Sequence, residues 1–240
     1  MKQVLHTAKF EVRFVESGKL LEKAKRLRHK VFFKKDGLDE DQFDPFCTHT
    51  VVIEKNTEKV IGTYRLLLGS NALRNRGFYS ETEFNLEKIK KNCRGELLEM
   101  GRACVDSFYR GAPIINLLWR SIISFVDEHH VKYIFGCSSI DNPDPKNIGK
   151  IFKFFKANAF SPEEFRVFPL AGKEYPYQRE VEFPSTRELI DLIPSLVRGY
   201  LKIGAFSCGA PVWDKEFDTA DFFMLINTAK LNSLYRDKFS

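Results

Sequence analysis

The chain has 240 residues, 43% of them apolar, and its 38 lysines and arginines outnumber its 32 aspartates and glutamates for a net charge of +6. That length suits one α/β domain, expected over residues 1–240. Five widely spaced cysteines without a C-x-x-C pair argue against a disulfide or zinc framework. No apolar run is long enough to span a bilayer, and Met1–Phe10 lacks the apolar stretch of a signal peptide, so a cytoplasmic protein is expected, with a membrane surface as a further contact. The basic balance favours an acidic partner, but no helix-turn-helix or zinc-finger spacing supports nucleic acid.

In chain order, Phe10–Val15 alternates as a strand. Ser17 is placed to cap a helix over Lys19–Phe33, where Leu20, Ala24, Leu27 and Val31 recur at helical spacing. Lys34–Thr48 is polar and acidic and reads as a loop. Thr50–Glu54 and Val60–Leu67 read as a hairpin around Lys55–Lys59. Leu73–Arg94 is irregular, with a short helix near Leu86, and Glu96–Val105 is a further strand. Ile114, Leu118, Ile122 and Phe125 mark the buried face of a helix, followed by a strand at Tyr133–Cys137. Asp144-Pro145 is a cap with proline at the first helical position. The helix it opens buries Ile148, Ile151, Phe152 and Phe155 and aligns Lys146, Lys150 and Lys153 on another face. Phe160–Pro184 is irregular, Arg187–Ile203 is helical with a restart at Pro194, Ala220–Asn227 is a strand, and a short terminal helix reaches Arg236. The 23 phenylalanines suit a packed core, or in part a pocket for a fatty chain. The element order suits a mixed sheet with helices on both faces.

Charged clusters interrupt this pattern. Arg28 and Phe32 lie on the first helix. Asp41-Gln42-Phe43-Asp44 is followed by Cys47-Thr48-His49. Gly62-Thr63-Tyr64-Arg65 and Leu98-Glu99-Met100-Gly101-Arg102 put Arg65, Glu99 and Arg102 inside apolar strands, where a charge is costly unless paired. Such a set is either a structural ion-pair network or a reactive cleft.

The order of these clusters resembles the acyl-homoserine-lactone synthases. It resembles more closely the ornithine N-acyltransferases of ornithine-lipid synthesis and their hemolysin-like relatives. The stretches that carry the second resemblance are Phe43-Asp44-x-x-Cys47-x-His49, Gly62–Leu67, Gly77–Phe84, Leu98–Val105, Phe135-Gly136-Cys137, Gly199–Ala205 and Phe217-x-Thr219-x-Asp221. They span most of the chain. The loop Phe33–Leu38 has no tryptophan, which separates it from the lactone synthases. Cys47-Thr48-His49 has one acid fewer than the ornithine enzymes carry there. A third reading, from another class, is a catalytically silent module that binds a carrier protein or an anionic membrane.

The resemblance implies a GNAT-like (acyl-CoA N-acyltransferase) fold and acyl transfer without metal or tightly bound cofactor. The donor it implies is an acyl carrier protein thioester, the acceptor an amino acid, and a partner O-acyltransferase would act on the product. In such a reaction a neutral amine attacks a thioester carbonyl, the oxyanion needs donors and a thiolate leaves. Glu99 is the candidate base, beside Arg65 and Arg102; a desolvated carboxylate has a raised pKa unless paired. Arg28, Arg65 and Arg102 offer bidentate grips on an acceptor carboxylate, Asp41 and Asp44 a site for its cation, with His49 and Phe32 beside them. The loop Val105–Pro113, with Arg110-Gly111-Ala112 at its turn, is expected to meet the donor phosphate through backbone N–H groups. The Lys19–Lys35 run and the Lys146/Lys150/Lys153 face are candidate docking surfaces for the acidic carrier.

Overall fold

A computed structural model describes residues 2–110 and 113–231. Its strands are β1 (Lys2–His6), β2 (Phe10–Val15), β3 (Thr48–Glu54), β4 (Lys59–Leu68), β5 (Phe84–Asn85), β6 (Glu96–Val105), β7 (Val131–Asp141), β8 (Phe168–Pro169), β9 (Phe206–Ser207), β10 (Val212–Asp214) and β11 (Thr219–Asn227). Its helices are α1 (Lys19–Phe33), α2 (Gly69–Arg74), α3 (Glu87–Asn92), α4 (Ile114–Glu128), α5 (Pro145–Asn158), α6 (Thr186–Leu192) and α7 (Ser195–Lys202). They form two compact units, one of residues 2–78 and 96–131, the other of residues 79–95 and 132–231.

In the first unit β1, β2, β3, β4 and β6 pair antiparallel in that order. Helices cover both faces, as the side-chain alternation shows. Thr50 Oγ1 meets Ser121 Oγ of α4 at 2.7 Å, and a Cβ on Gly62 would come within 2.7 Å of Ile114 in the same helix. The residues between these point the other way. There Val15, Val51, Ile53, Val60 and Cys104 form a core with Leu21, Ala24 and Leu27 of α1, and Phe32 packs against it.

In the second unit β7 and β11 pair antiparallel over nine positions, with β10 and β9 on β11 and with β5 and β8 as a separate pair. Nearly every residue of β11 is buried, and Phe222–Ile226 is a continuous apolar run, as a strand with cover on both sides shows. Phenylalanines make this core: Phe222 packs edge-on to Phe155 with centroids 5.0 Å apart, and Phe223 stacks on Phe135 at 5.2 Å.

Most expected elements are present within a residue or two, including α5 with its Asp144 cap bonded to the Asn147 N–H. Several expectations need correction. The residue before α1 is Gly18 at φ 84°, and among the described residues no side chain caps that helix, so Ser17 does not. Strands β1, β5, β8, β9 and β10 were not expected; all are short, and most have too few residues to show an alternation. The acidic loop holds a 3₁₀ turn at Asp44–Phe46. The terminal helix expected up to Arg236 falls outside the described residues.

Candidate active site

The α1-covered face of the first sheet is polar at one end. His49 of β3 lies opposite Arg65 of β4, Arg65 opposite Gly101 of β6, and Leu67 opposite Glu99. Cross-strand partners share a face, so His49, Arg65 and Glu99 all point toward α1. Strict alternation would send Arg102 to the opposite face. A register shift prevents this, because Thr63 pairs with Cys104 but Arg65 with Gly101, leaving an extra residue in β6. Arg102 sits there at φ 50°, and this bulge turns its side chain onto the same face as Arg65.

α1 and the loop after it complete the constellation. Arg28 is fully buried; its Nε donates to Asp39 at 2.6 Å and its two terminal nitrogens to Asp44 at 2.8 and 3.2 Å. Arg65 Nη1 donates to Asp41 at 2.5 Å and to Asp44 at 3.4 Å. Arg102 Nη2 donates to Asp41 at 3.1 Å, and its Nε lies 3.4 Å from Asp39. Three arginines thus meet three aspartates. Asp41 also folds its own loop, accepting from the N–H groups of Phe43 and Asp44.

The network has a buried tier and an accessible one. Asp44, Arg28 and His49 have no exposed side-chain surface, whereas Arg102 keeps 11% and Asp41 19%. Burial works to raise the Asp44 pKa, but the hydrogen bond and charge of Arg28 and the charge of Arg65 outweigh it and hold this carboxyl well below its usual range. Asp41 is lowered likewise, the Arg65 charge overcoming burial, and Arg65 is raised because Asp41 outweighs its own desolvation. His49 is driven down to about 3, chiefly by burial, so it is neutral at physiological pH. Among the described residues neither of its ring nitrogens has a hydrogen-bond partner, and its Nε2 lies 3.6 Å from Asp44.

These positions revise several roles. Arg28 and Asp44 were expected on a substrate; both are fully buried and bonded to each other. His49 is as deeply buried, and Phe32 contributes to the core under α1. The Cys47 thiol, bonded to Phe43 O at 3.1 Å, is pushed up to about 12 by burial and is no thiolate nucleophile. Glu99 is 6% exposed and shares this face. Val105 ends β6, and Arg110 is exposed after the 3₁₀ turn Ser107–Tyr109; Gly111 and Ala112 lie outside the described residues. The Lys146/Lys150/Lys153 face is not free for docking, since Lys150 pairs with Glu188 at 2.5 Å and Lys153 donates to Val181 O.

The chain is similar along nearly all its length to the L-ornithine N(alpha)-acyltransferase of Brucella abortus (strain 2308), with 29% identity over 94% of this chain and 86% of that one. The enzyme of the same name from Rhodobacter capsulatus is 27% identical, over 95% of this chain and 93% of its own. The chain is an acyltransferase, homologous to these enzymes. The profile of an acetyltransferase (GNAT) domain matches residues 23–120 of the acyltransferase, a stretch that contains every network residue above. Among solved structures, FeeM, an N-acyl amino acid synthase from uncultured soil microbes, matches in fold with a TM-score of 0.57 at 11% identity, over 96% of this chain and 99% of that one. The acyltransferase therefore has the GNAT fold, an α/β architecture of mixed sheet and helices.

Two groups escaped the residue-level reading. Asp39 is an anchor for Arg28, signalled only by the acid run Asp39-Glu40-Asp41. In the second unit Glu83, Cys137 and Asp221 bring ligand-type atoms within 4.8 Å of one another, the one such group among the described residues with metal-capable donors. Cys137 Sγ donates to Glu83 at 3.0 Å, and Thr219 and Ser139 donate to Asp221 at 2.6 and 3.1 Å. Burial, and then the neighbouring Asp221 charge, raise Glu83 to about 8, so near neutrality it is largely protonated. All three residues stand in stretches that carry the family resemblance, but their joining is tertiary.

Proposed function

We propose that the acyltransferase moves a long, 3-hydroxyacyl-type chain from an acyl carrier protein thioester to the α-amine of ornithine, the whole chain acting as one domain. The product is a lyso-ornithine lipid, which a separate O-acyltransferase would then acylate. The observation that supports this most is the accessible tier beside Glu99: a cation and an anion, Arg102 and Asp41, both partly open to solvent on one sheet face. An amino acid with a cationic side chain presents the complementary pair. Arg102 takes the α-carboxylate and Asp41 the side-chain ammonium, while Arg28, Asp44 and Arg65 hold both in place.

Glu99 accepts the proton of the attacking amine, directly or through one water. The C–N bond forms as the carbonyl becomes a tetrahedral oxyanion; collapse breaks the C–S bond, and the thiolate leaves to take up a proton. Attack is direct, because the nearby Cys47 stays a thiol. Among the described residues no side chain caps helix α4 after Pro113, so its first amides are offered to the donor phosphate in the Val105–Pro113 connection.

The test is purified protein with acyl carrier thioester and ornithine, read by product mass. The reading predicts N-acylornithine, and a Glu99→Gln variant with unchanged folding whose kcat falls by about 10²- to 10⁴-fold. Full turnover by Glu99→Gln removes the base assignment. Acylation of another amine with none of ornithine removes the acceptor.

A further inference from the structure

Helix α1 buries one face and leaves a cationic stripe on the other. Lys19, Lys23, Arg26 and Lys30 follow one another at intervals of four, three and four residues, and all four are exposed. Among the described residues Arg26 is matched along the helix by Glu22 at 2.8 Å. The stripe continues onto the β3–β4 hairpin end of the sheet. Lys23 Nζ donates to the Glu58 carbonyl at 2.8 Å, and Lys59 Nζ lies 2.7 Å from Asp106, whose carboxyl Lys30 also stabilises in its charged form. Asp106 in turn accepts from the Phe108 N–H at 3.1 Å and so holds the turn Ser107–Tyr109 against this border. Phe108 stands out from that turn with 85% of its surface exposed, and Arg110 beside it is exposed as well.

We propose that the α1 stripe together with Phe108 is a docking surface for an anionic lipid bilayer. Lysines and arginines in a plane gain about 1 kcal/mol each near an anionic membrane surface. An exposed ring among them adds an apolar side chain to bury at the headgroup level. The ring decides between partners. An acidic protein would be served by the cations alone, whereas a bilayer interface also takes up the exposed Phe108 ring at the headgroup level. The surface is independent of the identity of the acceptor, and its test does not read catalysis.

The test is co-sedimentation of the full chain with vesicles of phosphatidylcholine alone and of phosphatidylcholine mixed with phosphatidylglycerol, at rising salt. Binding is expected only to the anionic vesicles and is expected to weaken with salt. The triple variant Lys19→Glu, Lys23→Glu, Lys30→Glu should lower the partition coefficient by roughly a hundredfold, at about fivefold or more per cation. Phe108→Ser should lower it by about tenfold. Circular dichroism shows that each variant is folded, and a variant that is not is replaced by the single changes. Equal binding to neutral vesicles, no binding at low salt, or binding that these substitutions leave unchanged overturns the proposal. So does a stripe that retains an acidic carrier protein, in a manner the triple variant abolishes, while no vesicle binds.

Discussion

At the scale of single residues, the two tiers of the arginine–aspartate network separate stability from function. Asp44 has no exposed side-chain surface and answers both Arg28 and Arg65. Asp44→Asn keeps the shape but leaves those cations short of an anion in a desolvated setting, which costs about 3–5 kcal/mol when a buried pair is broken. A large fall in thermal midpoint is the expected result, and a midpoint within error of the parent would refute the buried-pair reading. Asp41 is partly solvated, and Arg65 and Arg102 share it. Asp41→Asn should therefore cost less stability and instead raise the KM for a cationic amino acid, with little change for an acceptor that lacks the side-chain ammonium. The pH dependence has a fixed sign. The folded Asp44 pKa lies below its unfolded value, so the stability it contributes is complete above the ordinary aspartate range and is lost as pH falls through the depressed value. His49, driven down to about 3, acts in the same direction: the unfolded chain gains a proton there below about 6.5 and the folded chain does not.

At the scale of elements, the bulge in β6 places the site. It turns Arg102 onto the face of Arg65 and Glu99 at the cost of a left-handed residue with a Cβ. Arg102→Gly suits that backbone and removes the side chain with its guanidinium, so thermal stability should change little while acceptor binding weakens. Arg102→Val puts a β-branched side chain at φ 50° and should cost a further ~1–3 kcal/mol, measured as the difference between the two midpoints. An equal midpoint for both would mean that the bulge relaxes freely. The bulge also marks what could be read in the sequence. The strand over Glu96–Val105 and the oddity of two charges within it follow from local pattern, as do α1 and the β3–β4 hairpin. That Arg102 crosses to the face of Glu99 does not follow, because alternation predicts the reverse and the extra residue is visible only in pairing. Arg28 shows the same limit: its helix was legible from the apolar spacing, but the carboxylates that consume its donors arrive from a loop without periodicity. The short strands β5, β8, β9 and β10 lack the length to show any period, so only their partners define them.

At the scale of the whole molecule, two buried carboxylate clusters, one in each unit, respond oppositely to pH. The network in the first unit is most stabilising when its aspartates are ionised. The second unit buries Glu83 beside Asp221, and burial with that like charge raises the Glu83 pKa to about 8. The folded value here exceeds the unfolded one of about 4.3. Below the unfolded value both states hold the proton and the contribution is complete; as pH rises toward about 8 the unfolded chain sheds it while the folded chain must keep it. Stability from this site therefore declines across the neutral range, with a slope of up to about 1.4 kcal/mol per pH unit. Glu83→Gln retains the shape and an acceptor for the Cys137 thiol, and it removes the titrating group. Between about pH 5 and 8 its thermal midpoint should fall less with rising pH than that of the parent protein, the two curves diverging most at the upper end. Parallel curves would mean that Glu83 is already ionised at neutral pH. The cluster would then carry two buried negative charges, and added divalent cation should raise the parent midpoint but not that of Glu83→Gln.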